Sequence, residues 1–138
     1  MMSGGYSNTP LISKLGIKEG YRVLVLDPPP HYWALLGDLP AEVDVKSPGT
    51  RARLDFVHIF ARDGQALRRR LVSLRTRIAS HGMIWVSWPK KTSDLESDLD
   101  GNAVRRAGLQ AGLVDVKVCA VDKTWSGLKF VIPLADRD

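Results

Sequence analysis

Apolar positions along the chain fall into short runs of two kinds. Tyr21 to Leu26, Leu54 to Phe60 and Met83 to Trp88 are apolar on both faces. A strand covered by helices on both sides reads that way, so these runs predict three central strands of a parallel sheet. Glu42 to Lys46 alternates instead and predicts a shorter, more exposed strand. Asp115 to Val121 and Leu128 to Leu134 predict two last strands around the turn Asp122 to Gly127.

Between these runs the spacing is helical. Thr9-Pro10 pairs a hydroxyl cap with Pro at the first helical position, and Gly16 supplies a stop. His31 to Gly37 predicts a second short helix. Asp63 caps a third, whose Leu67, Leu71, Leu74 and Ile78 form one stripe ending at His81-Gly82. Asn102 to Ala111 predicts a fourth, with Ala107, Gly108 and Ala111 as a small face that lets it lie close to a sheet, and Gly112 ends it.

Helices alternating with strands predict a mostly parallel sheet of about six strands with right-handed crossovers. The C-terminal hairpin adds one antiparallel strand, giving an α/β three-layer sandwich. Residues 1–8 hold little that packs and are expected to be a flexible tail ahead of a single domain over 9–138.

Composition narrows the class. The 138 residues are 44% hydrophobic and 25% charged, which fits one globular domain. Twenty Lys and Arg against fifteen Asp and Glu give +5, favouring anionic partners. The single cysteine, Cys119, excludes an internal disulfide framework and suits a reducing cytoplasm; a small buried hydrophobe is its expected role. No apolar run approaches the roughly 18 residues of a membrane span, and no signal sequence opens the chain, so a membrane role is not expected.

Several segments carry a resemblance. Leu15-Gly16-Ile17-Lys18-Glu19-Gly20-Tyr21-Arg22-Val23-Leu24-Val25-Leu26-Asp27, Leu54-Asp55-Phe56-Val57 and the last helix with its hairpin resemble the class I methyltransferase, Rossmann-like fold. That resemblance implies a final strand inserted antiparallel beside Met83 to Trp88, and one helix–strand unit missing between Val45 and Leu54. More narrowly, Trp85 to Lys91 together with Val118 to Phe130 resemble a family of small bacterial proteins known only as a domain of unknown function.

The chain departs from the methyltransferase pattern where a cofactor would sit. A glycine-rich turn after the first strand lets backbone N–H groups reach the cofactor. Here the turn is Asp27-Pro28-Pro29-Pro30-His31, with no glycine and three residues that lack an N–H. The second strand ends in Lys46-Ser47, where an acidic residue would bind ribose hydroxyls. Loss of S-adenosylmethionine binding is therefore expected, and no cofactor, no metal and no catalytic residue is assigned.

Ligands of open parallel sheets bind beyond the carboxyl ends of the strands. That edge should gather Asp27, His31, Lys46, Arg62, Trp88, Lys90 and Lys91, and the turn after the fifth strand should add Lys123, Thr124, Trp125 and Ser126. Cations attract phosphate and an indole stacks on a base, so this rim suits an anion. The plainer reading is solubility: Lys90 and Lys91 partner the acids from Asp94 to Asp100, while Gly127 takes a positive φ and Trp125 lids the core. Arg68, Arg69, Arg70, Arg75 and Arg77 spread over a polar arc and read as a solvated helix face. His58 reads as a hydrogen-bonded core histidine, and His81 as a cation at a helix end. Asp27 and His31 form an acid–base pair if the proline turn brings them together.

The function this favours is a non-catalytic binding module whose rim takes an anionic small molecule or a protein partner. The enzyme alternative is an S-adenosylmethionine-dependent methyltransferase with an atypical cofactor loop. A homodimer through the terminal edge strand and nonspecific RNA binding with steep salt dependence are further readings, the latter without a recognition motif.

Overall fold

The computed structural model describes residues 9–137; the expected tail over 1–8 lies outside the described residues. The elements, in chain order, are α1 (Leu11–Leu15), β1 (Arg22–Leu26), α2 (Tyr32–Leu36), β2 (Asp44–Val45), β3 (Leu54–Phe60), α3 (Gly64–Arg75), β4 (Ile78–Pro89), α4 (Gly101–Gln110), β5 (Val114–Ala120) and β6 (Trp125–Val131), then a 3₁₀ turn at Leu134–Asp136. The sheet order is β2-β1-β3-β4-β6-β5. Neighbours from β2 to β4 are parallel, whereas β6 runs antiparallel to both β4 and β5. This is the expected three-layer α/β sandwich, with β6 inserted beside β4.

The two-sided strands separate two apolar layers. One joins Leu24, Val57, Ile59 and Val86 to Leu67, Leu71 and Leu74 of α3 and Val104 and Ala107 of α4. The other packs Leu15, Tyr32 and Leu36 of the short helices against Val23, Phe56, Phe60, Trp85 and Trp125. Helix α4 owes its close approach to Gly108: a Cβ there would lie 2.0 Å from the Phe130 ring.

Local chemistry shifts several boundaries. Pro10, not Thr9, is the residue before α1, and its carbonyl accepts from Ser13 and Lys14. Helix α3 stops at Arg75, and Ile78 opens β4 instead of ending the helical stripe. The side chain is buried either way, in the α3 layer, so periodicity could not tell the two apart. Leu54 pairs with Ile78 but Phe56 with Met83, so β4 bulges between them. His81 sits in that bulge, not at a helix end, and its Nε2 donates to Asp55 Oδ1 at 2.7 Å.

The helical arginines are not one solvated face. Arg70 binds Asp27, Arg75 binds Asp136 and the Gly112 carbonyl, and Arg77 leaves the helix to hold the Thr50 carbonyl at 2.9 Å. Arg77 thereby fastens the short connection that stands between Val45 and Leu54. Among the described residues the acids after β4 form no ion pair with Lys90 or Lys91, and two of them serve helix starts. Asp98 accepts from Gly64 N of α3, and Asp100 caps α4 through Ala103 N.

The last turn is tighter than expected, with Trp125, Ser126 and Gly127 already in β6. Gly127 has no positive φ; its role is space, since a Cβ would lie 3.0 Å from the Cys119 carbonyl and 3.3 Å from the Trp85 ring. Cys119 is only half-buried, packed against the short-helix layer.

Candidate functional site

At the carboxyl edge of the sheet, the ends of β1 and β3, the start of α3, the loop after β4 and the β5–β6 turn enclose a cavity of about 950 Å³. Asp27 turns the chain out of β1 with φ 55, a left-handed conformation that Asp tolerates better than most residues. Its Oδ2 accepts from Arg70 at 2.7 Å, so the β1 turn is fastened to α3. Pro29, Pro30 and His31 continue this wall, and Arg62, Asp63, Ala66 and Leu67 form the one opposite. Thr92 to Leu95 and Lys123 to Trp125 complete the lining.

His31 and Asp27 are not partners. His31 Nε2 instead donates to Asp122 Oδ2 at 2.8 Å, joining the β1 loop to the β5–β6 turn across 91 residues of chain. Asp122 Oδ1 accepts from Thr124 N and Trp125 N, both at 2.8 Å. Burial pushes the Asp122 carboxyl up, but the bonds from His31, Trp125 and Thr124 and the charge of His31 outweigh it and hold the group below its usual value. Trp125 is buried, its ring edge-on to Phe60 at 5.0 Å between centroids. It therefore floors the cavity instead of offering a free stacking face.

The structure divides the expected rim. Asp27, His31, Arg62, Lys123, Thr124 and Trp125 line the cavity, whereas Lys46, Trp88, Lys90, Lys91 and Ser126 do not. Lys46 pairs with Asp44 beside β2 at 2.6 Å. Trp88 is buried in the α3–α4 layer, and Ser126 is its neighbour across the sheet. Lys90 stays near the turn through its N–H bond to the Thr124 carbonyl, with its side chain outside.

Sequence reasoning missed Arg70, Asp63, Asp94 and the His31–Asp122 bond. A signal existed for two of these: Asp63, Ala66 and Arg70 recur at helical spacing along one face of α3. Arg62 is held by its Nε bond to the Glu96 carbonyl at 2.7 Å, and Ser97 Oγ returns a bond to the Arg62 carbonyl. Lys123 and Asp94 form no ion pair among the described residues. Nor do those residues contain a group of three or more His, Cys, Asp or Glu able to hold a metal, or a helix long and apolar enough to cross a membrane.

A parallel sheet ending in an inserted antiparallel strand, with its cavity at the strand ends, is a methyltransferase-like Rossmann architecture. Solved structures agree on that class. LepI in complex with SAM shares 12% identity and a TM-score of 0.56 over 90% of this chain, and the chain spans 47% of LepI. Magnesium protoporphyrin IX methyltransferase from Synechocystis PCC 6803 with bound SAH shares 8% identity at TM-score 0.57 over 88% of this chain and 78% of its own. A SAM-dependent methyltransferase from Aquifex aeolicus shares 14% identity at TM-score 0.55 over 88% of both chains. Identities this low establish the fold alone. Among curated proteins no sequence relative matches. Residues 41–134 match the family described as Protein of unknown function (DUF3052), and the chain belongs to it.

Proposed function

We propose that the chain is a non-catalytic binding module whose strand-end cavity takes an anionic small molecule. The observation that carries this reading is the cavity lining. Phe60, Leu67 and Trp125 supply apolar surface, and Arg62 and Lys123 supply cations without a carboxylate partner among the described residues. Asp94 adds an acceptor for an amino or hydroxyl group on the same ligand. A nucleotide has this chemistry: a flat apolar body, hydroxyls and a charged phosphate end.

Against the cofactor of the fold class stand three features. Pro28, Pro29 and Pro30 offer no N–H, α2 is only five residues long, and Lys46 at the end of β2 lies off the cavity. The residues present do not fit S-adenosylmethionine, so no methyl-transfer step is derived. Favouring the methyltransferase reading are the SAM and SAH bound to the structural neighbours, together with Asp27 at the β1 end.

Thermal-shift and calorimetric titrations with ADP as the probe, and with S-adenosylmethionine in parallel, distinguish the readings. ADP is expected to raise the melting midpoint, with affinity falling about tenfold in Arg62→Ala or Lys123→Ala, the usual worth of one charge-assisted bond. A midpoint raised by S-adenosylmethionine and not by ADP would overturn the proposal in favour of the enzyme.

A further inference from the structure

A second charged feature lies away from the cavity, where α1 meets the β5–β6 hairpin. Lys117 of β5 stands directly opposite Lys129 of β6 in the sheet register. Like charges at opposed cross-strand positions repel. Lys117 Nζ donates to the Lys14 carbonyl at 3.2 Å in the last turn of α1, and Lys18 follows that helix. None of Lys14, Lys18, Lys117 and Lys129 forms an ion pair among the described residues. Beside them a groove of about 460 Å³ is lined by Ser13, Lys14 and Lys117 with Val118 to Ala120.

Lys117 alone has a structural explanation, because β5 is an edge strand and a lysine there discourages pairing with another sheet. Lys129 has none of that kind. Strand β6 is paired on both sides, so it has no edge to protect. The side chain is half-buried, and its ammonium is destabilised by burial and then by the charges of Lys117 and Lys18, which lowers its pKa. A neutral polar residue would occupy that place without either cost. What the arrangement gains is a concentrated positive field, relieved when an anion enters.

We propose that Lys117 and Lys129, with Lys18 and Lys14 around them, form a second anion site that binds a free, multiply charged phosphate compound. Lysine is the point-charge ligand of phosphate, and several ammonium groups suit a ligand with several phosphate charges. A nucleic-acid strand is disfavoured because the ring facing this patch is not free to stack on a base: Trp85, opposite Lys129, is fully buried with its Nε1 bound to the Leu15 carbonyl at 2.7 Å.

The test is calorimetric titration with inorganic tripolyphosphate at low salt, with an oligonucleotide of mixed sequence as a competitor. Wild type is expected to bind tripolyphosphate, Lys117→Ala/Lys129→Ala to bind at least tenfold more weakly, and Lys90→Ala/Lys91→Ala to bind as wild type does. Without phosphate, Lys117→Ala/Lys129→Ala should melt no lower than wild type, because two mutually repelling charges have gone; this also shows that it folds. Wild type failing to bind, affinity falling equally in both variants, or the oligonucleotide binding more tightly than tripolyphosphate would each overturn the proposal. The tripolyphosphate titrations are run in an Arg62→Ala/Lys123→Ala background, which removes the cations of the strand-end cavity so that they read the second site alone, while the ADP titration of the parent chain reads the cavity.

Discussion

His58 lies fully buried in the middle of β3, stacked on Phe60 with ring centroids 4.3 Å apart. Its Nδ1 is hydrogen-bonded to the Tyr32 hydroxyl at 3.0 Å and its Nε2 to Ser87 Oγ at 2.8 Å. One ring nitrogen donates and the other accepts, so the neutral imidazole satisfies both hydroxyls. Burial lowers the His58 pKa from 6.5 to about 3 and raises that of Tyr32 well above its ordinary value. The consequence is a pH-dependent stability of definite sign. Above the unfolded value of 6.5 neither state binds the proton, and the contribution is complete. Below it the unfolded chain takes up a proton that the native state refuses, so stability falls by about 1.4 kcal/mol per pH unit down to about pH 3. Urea midpoints between pH 7 and 5 check this. His58→Gln, which keeps a donor and an acceptor there, should flatten the slope, and an unchanged slope would assign the effect to other groups.

Helix α4 shows how an element is placed by one missing atom group. Asp100 starts it, Val104 and Ala107 anchor it, and Gly108 lets its backbone rest on the Phe130 ring of β6. Gly108→Ala would improve helix propensity by about 1 kcal/mol in isolation. In the fold the new methyl overlaps the ring, and overpacking at up to about 3 kcal/mol wins: the expected net loss is about 2 kcal/mol by chemical denaturation. Combining it with Phe130→Leu should recover part of that loss relative to the sum of the single changes, because the two atoms compete for one volume. Strict additivity would mean that the helix has moved elsewhere. Ion pairs and caps act at the same scale, with Arg70–Asp27 and His31–Asp122 tying separate loops to the cavity walls.

Across the whole molecule, the two apolar layers share one sheet, and α3 and α4 pack on one face while α1 and α2 pack on the other. Neither layer can be lost without exposing strands that the other still needs covered. A single cooperative transition is expected, with near-ultraviolet signals from the tryptophans and far-ultraviolet signals superimposing through a urea titration. A separate early loss of the near-ultraviolet signal would mean that the short-helix layer, which holds Trp85 and Trp125, melts on its own. The same sheet brings the β1 turn and the β5–β6 turn to one edge, which is why two segments 91 residues apart can hold a common wall.

The amino-acid sequence by itself determined the alternation of two-sided strands and helices, the glycine stop after α1, the capping role of Asp63 and the small face of α4. These follow from properties of single residues or of neighbours a few positions apart. It also placed Asp27, His31, Arg62 and the β5–β6 turn on one edge, because strand direction follows from the order of elements. Only the tertiary structure decided which charges meet. Arg70 on Asp27, His31 on Asp122 and Lys117 against Lys129 are matters of distance across the sheet, and side-chain pairing over tens of residues leaves no periodic trace along the chain. The end of α3 was hidden for a related reason: Ile78 is buried by the same layer whether it ends a helix or begins a strand, so burial fixed its hydrophobicity and the fold fixed its geometry.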